Sequence, residues 1–348
     1  ISLGNGAEEI ASWLGCRQTS APPRRGKSGA SVSDWRRMRA AETGGLPLRY
    51  YGNETAEADE KRGAVEDTEG RVAAQDFSRE ESHGLSADRA VCPICPHACA
   101  LAEGQTGLCR ARVAEGGQVV DANYGRITSL ALDPIEKKPL ARFRPGSKVL
   151  SVGSYGCNLR CPFCQNGNLV QHPEWEPVIP EEEIFAVLEK RRGVLDGVCV
   201  TGGEPTLDPE LERFVTKIKE LGYLVKLDTN GYRPEILKKL VEEKKIDYVA
   251  MDIKNAPSRY GETAGVKKID VMRINESVEF LKSGVVDYEF RTTLCKELHG
   301  REEIEAIGKW LSGAKRYFLQ NYRESDYVID PRSVSYTHLR AHETTLHL

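Results

Sequence analysis

The sequence predicts an α/β fold in which parallel strands alternate with helices, and three observations support this prediction. From Val149 onward, short runs rich in β-branched residues alternate with longer stretches of helical period. A polar or glycine-rich motif follows each of these runs, where the strand is expected to end. Regular strand–helix alternation is typical of βαβ units and a parallel sheet. Six such strands fit either a partial barrel or an open sheet.

The expected elements follow one another along the chain without long gaps. Strands are predicted at 149–152, 197–201, 224–228, 248–252, 287–292 and 317–319. Helices are predicted between them at 180–191, 210–221, 234–243, 275–282 and 302–311. Pro180 and Pro234 mark two helix starts, because the first turn of a helix tolerates the missing N–H of proline. The glutamates after Pro180 also favour a helix start there, because negative charges stabilise the positive N-terminal end of the helix dipole.

Composition and charge exclude several classes of protein. The 348 residues carry a formal net charge of −3, which gives no attraction to nucleic acid or to anionic membranes. No apolar run approaches the roughly 20 residues that cross a bilayer, and no signal-peptide pattern opens the chain. The ten cysteines lie mostly in two tight groups, a pattern typical of metal binding in a reducing compartment. We therefore expect a cytoplasmic protein that binds neither nucleic acid nor membrane.

Four segments differ in composition. Residues 1–88 are polar, with few aliphatic runs, and are expected to be a disordered or non-native extension because they bury too little apolar surface. A cysteine-rich metal module is expected at 89–140, and the α/β domain at 141–332. Residues 333–348 resemble the translation of a sequencing adapter and are expected to be an artefactual tail that leaves the domain truncated.

The most informative motif holds Cys157, Cys161 and Cys164 in a C-x3-C-x2-C spacing. A 4Fe–4S cluster is normally held by four thiolates. Three thiolates leave one iron open to a substrate or cofactor, which is the arrangement of a catalytic site. Three neighbouring cysteines cannot all pair with one another, so disulfide bonding is the weaker interpretation.

A second cysteine group precedes the α/β domain. Its four thiols follow a C-x2-C-x3-C-x9-C spacing: Cys92, Cys95, Cys99 and Cys109. Four thiolates suffice for a closed tetrahedral zinc site or for a fully ligated iron–sulfur cluster, and spacing alone does not separate the two. His97, inside this group, is expected to be a bystander.

Further polar residues lie where the later strands end. In parallel α/β folds, ligands bind beyond the carboxyl ends of the strands. The second strand is followed by Gly202, Gly203 and Glu204; the third ends in Asp228 and Thr229, the fourth in Asp252 and Lys254, and the fifth in Arg291. Taken singly, these motifs also fit turns, a solvated strand edge or a surface salt bridge.

Together, the C-x3-C-x-aromatic-C motif and the Gly-Gly-Glu segment about forty residues later resemble the signature of radical S-adenosylmethionine (SAM) enzymes. The resemblance implies a partial (β/α)6 barrel, and a cluster whose open iron is chelated by SAM. Phe163 would pack beside the adenine. The backbone of Gly202 and Gly203, with Glu204, would receive the amino group of SAM.

Two closer resemblances concern the subgroup. Residues 227–231 and 251–255 are similar to segments of glycyl-radical-enzyme activases such as pyruvate formate-lyase activating enzyme. That similarity implies SAM contacts from Asp252 and Lys254, and a monovalent cation held near the SAM carboxylate by Asp228 and Asp252. Arg291 is the next candidate for that carboxylate. From about Cys92 to Pro331 the chain resembles the radical SAM member of the AmmeMemoRadiSam system.

The sequence thus predicts reductive cleavage of SAM, followed by hydrogen abstraction from a substrate such as a glycine of a partner protein. Implied partners are an electron donor such as flavodoxin or ferredoxin, a glycyl-radical enzyme, or Memo-like and AMMECR1-like proteins. Two alternatives stay open: a radical SAM enzyme that acts on a small molecule, and a non-catalytic iron–sulfur or zinc scaffold.

Overall fold

The computed structural model describes residues 89–122, 127–134, 146–167, 179–322, 328–330 and 344–346. All of them belong to one compact unit of the chain. The predicted extension at 1–88 lies outside the described residues, and so does most of the predicted tail at 333–348. Among the residues described, no helix is long and apolar enough to cross a bilayer.

The described residues form twelve strands, eight of them in one sheet. They are β1 Ala90–Val91, β2 Ala100–Leu101, β3 Arg112–Glu115, β4 Gln118–Asp121, β5 Ile127–Pro134, β6 Lys148–Ser154, β7 Gly197–Gly202, β8 Leu224–Thr229, β9 Tyr248–Asp252, β10 Asp287–Leu294, β11 Tyr317–Asn321 and β12 Thr344–Leu346. The sheet runs β12-β11-β10-β9-β8-β7-β6-β5.

Strands β6 to β11 are parallel and stand in chain order, as the sequence predicts. The two edge strands, β5 and β12, are antiparallel to their neighbours. The prediction did not include β5, which lies inside the range expected for the metal module but pairs along its length with β6. The described strands of this sheet stand in the order of an open sheet with two edges, an order that a partial barrel shares, and the partial barrel stays a prediction.

In the part of the chain that the structure describes, the strands alternate with six α-helices: α1 Glu181–Lys190, α2 Leu211–Glu220, α3 Pro234–Glu242, α4 Tyr260–Thr263, α5 Val271–Lys282 and α6 Arg301–Trp310. Five lie within a few residues of their predicted ranges, and α4 was not predicted. Helix α5 begins four residues earlier than predicted, because Asp270 caps it by accepting a hydrogen bond from Met272 N at 3.0 Å.

The two faces of the sheet differ in chemistry, and this difference positions the site. On one face Val198 and Val200 of β7 lie in register with Val225 and Leu227 of β8, and all four are buried. Burying such a side chain stabilises the fold by about 1.5–3 kcal/mol. The residues that alternate with them include Thr201 near the end of β7 and Asp228 near the end of β8, and both line the cavity at the carboxyl ends of the strands.

The N-terminal region consists of two short hairpins, β1–β2 and β3–β4. Arg112 in β3 attaches the second hairpin to the α/β domain. Its side chain is 1% exposed, forms an ion pair with Asp121 at 2.9 Å, and donates to the carbonyl oxygen of Leu207 after β7.

Candidate active site

One cavity of about 240 Å³ lies at the carboxyl ends of the parallel strands. Its lining includes every residue that the sequence predicts for the cluster and for SAM. These are Cys157, Cys161, Phe163, Cys164, Gly202, Gly203, Glu204, Asp228, Thr229, Asp252, Lys254 and Arg291. The fold thus brings together residues that lie more than a hundred positions apart in the chain.

The loop that carries the three cysteines is fixed by backbone contacts with the Gly-Gly segment. Gly203 N donates to Ser154 O at 2.9 Å, and Glu204 N donates to Gly156 O at 2.7 Å. Asn166, just after the last cysteine, donates its side-chain amide to Gly202 O at 3.2 Å. Gly156 has a φ of +88°, a conformation that favours glycine. The loop and the segment therefore form one unit.

The chemistry of the three thiols fits a cluster. None of them is in a disulfide. Burial raises the pKa of the Cys161 thiol to about 12, and burial together with the charge of Glu204 raises the pKa of Cys157 well above its ordinary value. Buried thiolates need a compensating positive charge, which ligated iron provides. The described residues hold no group of three or more His, Cys, Asp or Glu arranged around a single ion. A cubane, with one thiolate per iron, needs a wider arrangement.

The N-terminal cysteines lie against this loop. Cys157 N donates to Cys109 O at 3.2 Å. Cys109 is buried in a cluster with Ala111, Tyr155 and Leu207, and Cys95 packs on that cluster. Burial raises the pKa of the Cys95 thiol to about 11, and the nearby thiols of the group add to the effect. The four thiols form no disulfide and interact electrostatically, but among the described residues they do not converge on a single ion position, so their metal stays a prediction.

Glu204 is buried, and its carboxylate is directed toward neighbouring donors of the protein. Its Oε1 accepts hydrogen bonds from Thr206 N at 3.1 Å, from Thr206 Oγ1 at 2.6 Å and from Thr229 Oγ1 at 2.8 Å. Its Oε2 accepts one from Asn230 N at 2.7 Å. Burial nevertheless raises the pKa of the Glu204 carboxyl. This side chain joins the ends of β7 and β8; its contact with the amino group of SAM stays a prediction.

Charged side chains at the ends of β8 to β10 form ion pairs across the cavity. Arg291 contacts Asp252 at 2.9 Å and Asp228 at 3.6 Å, and Lys254 contacts Asp252 at 3.0 Å. Burial acts to raise the pKa of Asp252, but the charges of Arg291 and Lys254 outweigh it, and the pKa lies below its ordinary value. The side chain of Arg291 is only 9% exposed, so its ion pair with Asp252 is not a surface salt bridge.

Sequence reasoning missed three residues that support the site. His97 contacts the cluster loop, since its Nε2 donates to Asn158 O at 2.8 Å. Lys226 forms an ion pair with Asp228 from the strand interior, and Glu289 lies 3.9 Å from Arg291. Both were detectable, because each is a charged residue two positions before a predicted site residue, and so on the same face of its strand. The sequence indicates His97 only as a bystander of the N-terminal cysteine group.

A parallel α/β sheet that gathers thiols, glycines and charged groups at its carboxyl edge defines a protein that binds a cofactor at the strand ends. Residues 151–295 match the Radical SAM superfamily. The chain belongs to this superfamily, and membership implies a 4Fe–4S cluster and SAM.

The chain is similar to several known proteins. The chain is 33% identical over 183 residues to MJ1227 of Methanocaldococcus jannaschii, which carries the name glycyl-radical enzyme activating enzyme; the match covers 49% of this chain and 72% of the relative. It is 27% identical over 194 residues to the 7-carboxy-7-deazaguanine synthase of Koribacter versatilis; this match covers 55% of this chain and 80% of the relative. A solved structure of TYW1 with a lysine–pyruvate adduct is similar at a TM-score of 0.41 and 19% identity, covering 57% of this chain and 76% of that one.

Proposed function

We propose that this protein is a radical SAM enzyme that activates a partner protein by removing a hydrogen atom from a glycine. The observation that carries the proposal is a cavity whose lining joins the three thiols to the Gly-Gly segment and the charged strand ends. The similarity to MJ1227 supports a glycine as the hydrogen donor.

Cys157, Cys161 and Cys164 would hold the cluster, which supplies one electron to SAM and yields methionine and a 5′-deoxyadenosyl radical. The residues of the chain bind, orient and shield the reactants. Lys254 and Arg291 would bind the SAM carboxylate, the Gly202–Gly203 backbone would admit the methionine part closely, and Phe163, which is 5% exposed, would pack beside the adenine. The chemistry that the cluster and SAM would supply is the removal of one hydrogen atom from the substrate.

The N-terminal cysteines form part of the proposal as a second metal centre, either zinc or an iron–sulfur cluster. Their mutual proximity and their backbone contact with Cys157 support this role. A flavodoxin or ferredoxin is proposed as the electron donor, and a glycyl-radical enzyme or a Memo-like or AMMECR1-like protein as the partner. The monovalent cation does not enter the proposal, because the aspartates that would hold it are already ion-paired.

A second candidate is a radical SAM enzyme that acts on a small molecule. The similarity to 7-carboxy-7-deazaguanine synthase favours it, since the match covers 80% of that relative. The two candidates differ in the hydrogen donor and share the same cofactor chemistry.

Anaerobic reconstitution tests the shared chemistry first. We expect about four irons at the three-cysteine site, and release of 5′-deoxyadenosine when dithionite and SAM are added. Cys161→Ala should abolish this release. Cys295→Ala is the matched control, because Cys295 is also buried but does not line the cavity. A reconstituted cluster that never cleaves SAM would favour the alternative of a non-catalytic iron–sulfur or zinc scaffold protein.

The hydrogen donor is tested by adding a glycyl-radical enzyme to the reduced protein with SAM. A glycyl radical seen by electron paramagnetic resonance, at the expense of one SAM per radical, supports the activase. Turnover of a small molecule without a protein partner supports the second candidate.

A further inference from the structure

Two buried cationic side chains, those of Arg291 and Lys226, form ion pairs with the aspartates that line the cavity. Arg291 donates from Nε and Nη2 to Asp252 Oδ1, at 3.0 and 2.9 Å, and its Nη2 lies 3.6 Å from Asp228 Oδ1. The ammonium of Lys226 reaches the same Asp228 oxygen from the strand interior. Lys226 is 4% exposed and Arg291 8%, so both charges are fixed inside the protein.

The oxygens that an ion would need are already engaged. A hard monovalent cation binds through several oxygen ligands. Asp252 offers Oδ1 to Arg291 and Oδ2 to Lys254. Asp228 offers Oδ1 to Lys226 and Arg291, and its Oδ2 lies 3.8 Å from the thiol of Cys199. An incoming ion would have to displace charged donors that are attached to the same sheet.

The charges of this group are balanced without an added ion. Six side chains are joined by these contacts, three cationic and three acidic: Lys226, Lys254, Arg291, Asp228, Asp252 and Glu289. A further positive charge would be placed among three others in a poorly solvated space, where like charges repel strongly. The lowered pKa of Asp252 agrees with this balance, since the carboxylate is held in its charged form by the protein alone.

We propose that Lys226 and Arg291 are built-in counter-ions that replace the monovalent cation implied by the resemblance to activases, so that SAM binding requires neither Na⁺ nor K⁺. Lys226 acts through Asp228 and is a positioning residue. The proposal rests on the proposed function only in taking SAM as the ligand.

The first test measures SAM binding to the cluster-loaded native protein by anaerobic equilibrium dialysis, without reductant. N-methylglucamine chloride, NaCl and KCl are compared at equal ionic strength. We expect the Kd to agree within about twofold across the three salts. A Kd at least about fivefold lower in NaCl or KCl would overturn the proposal. Absence of SAM binding in every salt would instead refute the proposed function.

The second test uses Lys226→Met, which keeps the length of the side chain and removes its charge. Its Kd for SAM should be about tenfold higher in N-methylglucamine chloride and should return toward the native value in NaCl or KCl, because an ion can now enter. Lys245→Met is the matched control, since Lys245 pairs with Glu212 and Glu243 away from the cavity. A Lys226→Met protein whose Kd is native-like in all three salts would contradict the proposal.

A third measurement needs neither a variant nor SAM. Crystals of the native protein are soaked in RbCl, and anomalous diffraction locates the ion. No Rb⁺ peak is expected between Asp228 and Asp252; a peak there would overturn the proposal even if Lys226→Met fails to fold.

Discussion

Gly203 allows the most direct test of how the Gly-Gly segment supports the cluster loop. A Cβ added at this position would stand 2.7 Å from the carbonyl carbon of Gly156 and closer still to its oxygen. Ordinary contact begins at 3.4 Å, so the carbonyl carbon must move by about 0.7 Å. Gly156 directly precedes Cys157, and its oxygen accepts the hydrogen bond from Glu204 N. Gly203→Ala therefore displaces the cluster loop itself.

Two contributions set the magnitude. Overpacking costs about 1–3 kcal/mol, and the lost buried hydrogen bond adds about 1 kcal/mol. We expect a decrease of about 2–4 kcal/mol in the free energy of unfolding, measured by urea denaturation. A shift of this size at a site that requires fixed geometry should also reduce SAM cleavage by about 100-fold.

Gly222→Ala provides the control. Gly222 has a φ of +86° and nothing within 4 Å of an added Cβ, so the variant measures backbone strain alone. It should cost about 1–2 kcal/mol and leave iron uptake and cleavage unchanged. The reasoning is refuted if Gly203→Ala unfolds within about 0.5 kcal/mol of the native protein and takes up iron normally.

Two further predictions concern buried charges outside the cluster loop. Burial raises the pKa of Glu289 to about 6 from 4.5, so the folded state binds this proton more tightly than the unfolded state, and native stability should fall by about 2 kcal/mol between pH 4.5 and 7. Glu289→Gln should lack this loss; equal pH profiles of urea unfolding for the two proteins would contradict the assignment. Arg112→Met leaves the carbonyl oxygen of Leu207 without its donor and should lower stability by about 2–3 kcal/mol. Thermal denaturation measures this loss of stability. An unchanged midpoint would show that the β3–β4 hairpin is not attached to the α/β domain through Arg112.

The sequence by itself predicted the alternation of strands β6 to β11 with helices and placed at the strand ends a set of residues that line one cavity. The period of apolar residues identifies parallel strands, and parallel strands place their carboxyl ends at one edge. Every polar motif that follows a strand must therefore come close to the others. For this reason the sequence alone predicts that Cys161, Gly203 and Lys254 lie in one site.

Local signals were weaker where the chain is less regular. Strand β5 lies next to the cysteine-rich segment, and its pairing with β6 depends on a partner rather than on its own pattern. The start of α5 depended on the cap at Asp270, a short-range hydrogen bond that apolar periodicity does not report.

Only the tertiary structure decided which partner each charged group takes. Asp228 and Asp252 carry carboxylates that could bind a cation, a ligand or a basic side chain, and their sequence context fits all three. The fold places the guanidinium of Arg291 between the two carboxylates and brings the ammonium of Lys226 into contact with Asp228. Pairing of this kind is set by distances of a few ångströms between different strands, because the Coulomb energy of buried charges depends on separation and burial. Neither quantity is present in a linear sequence.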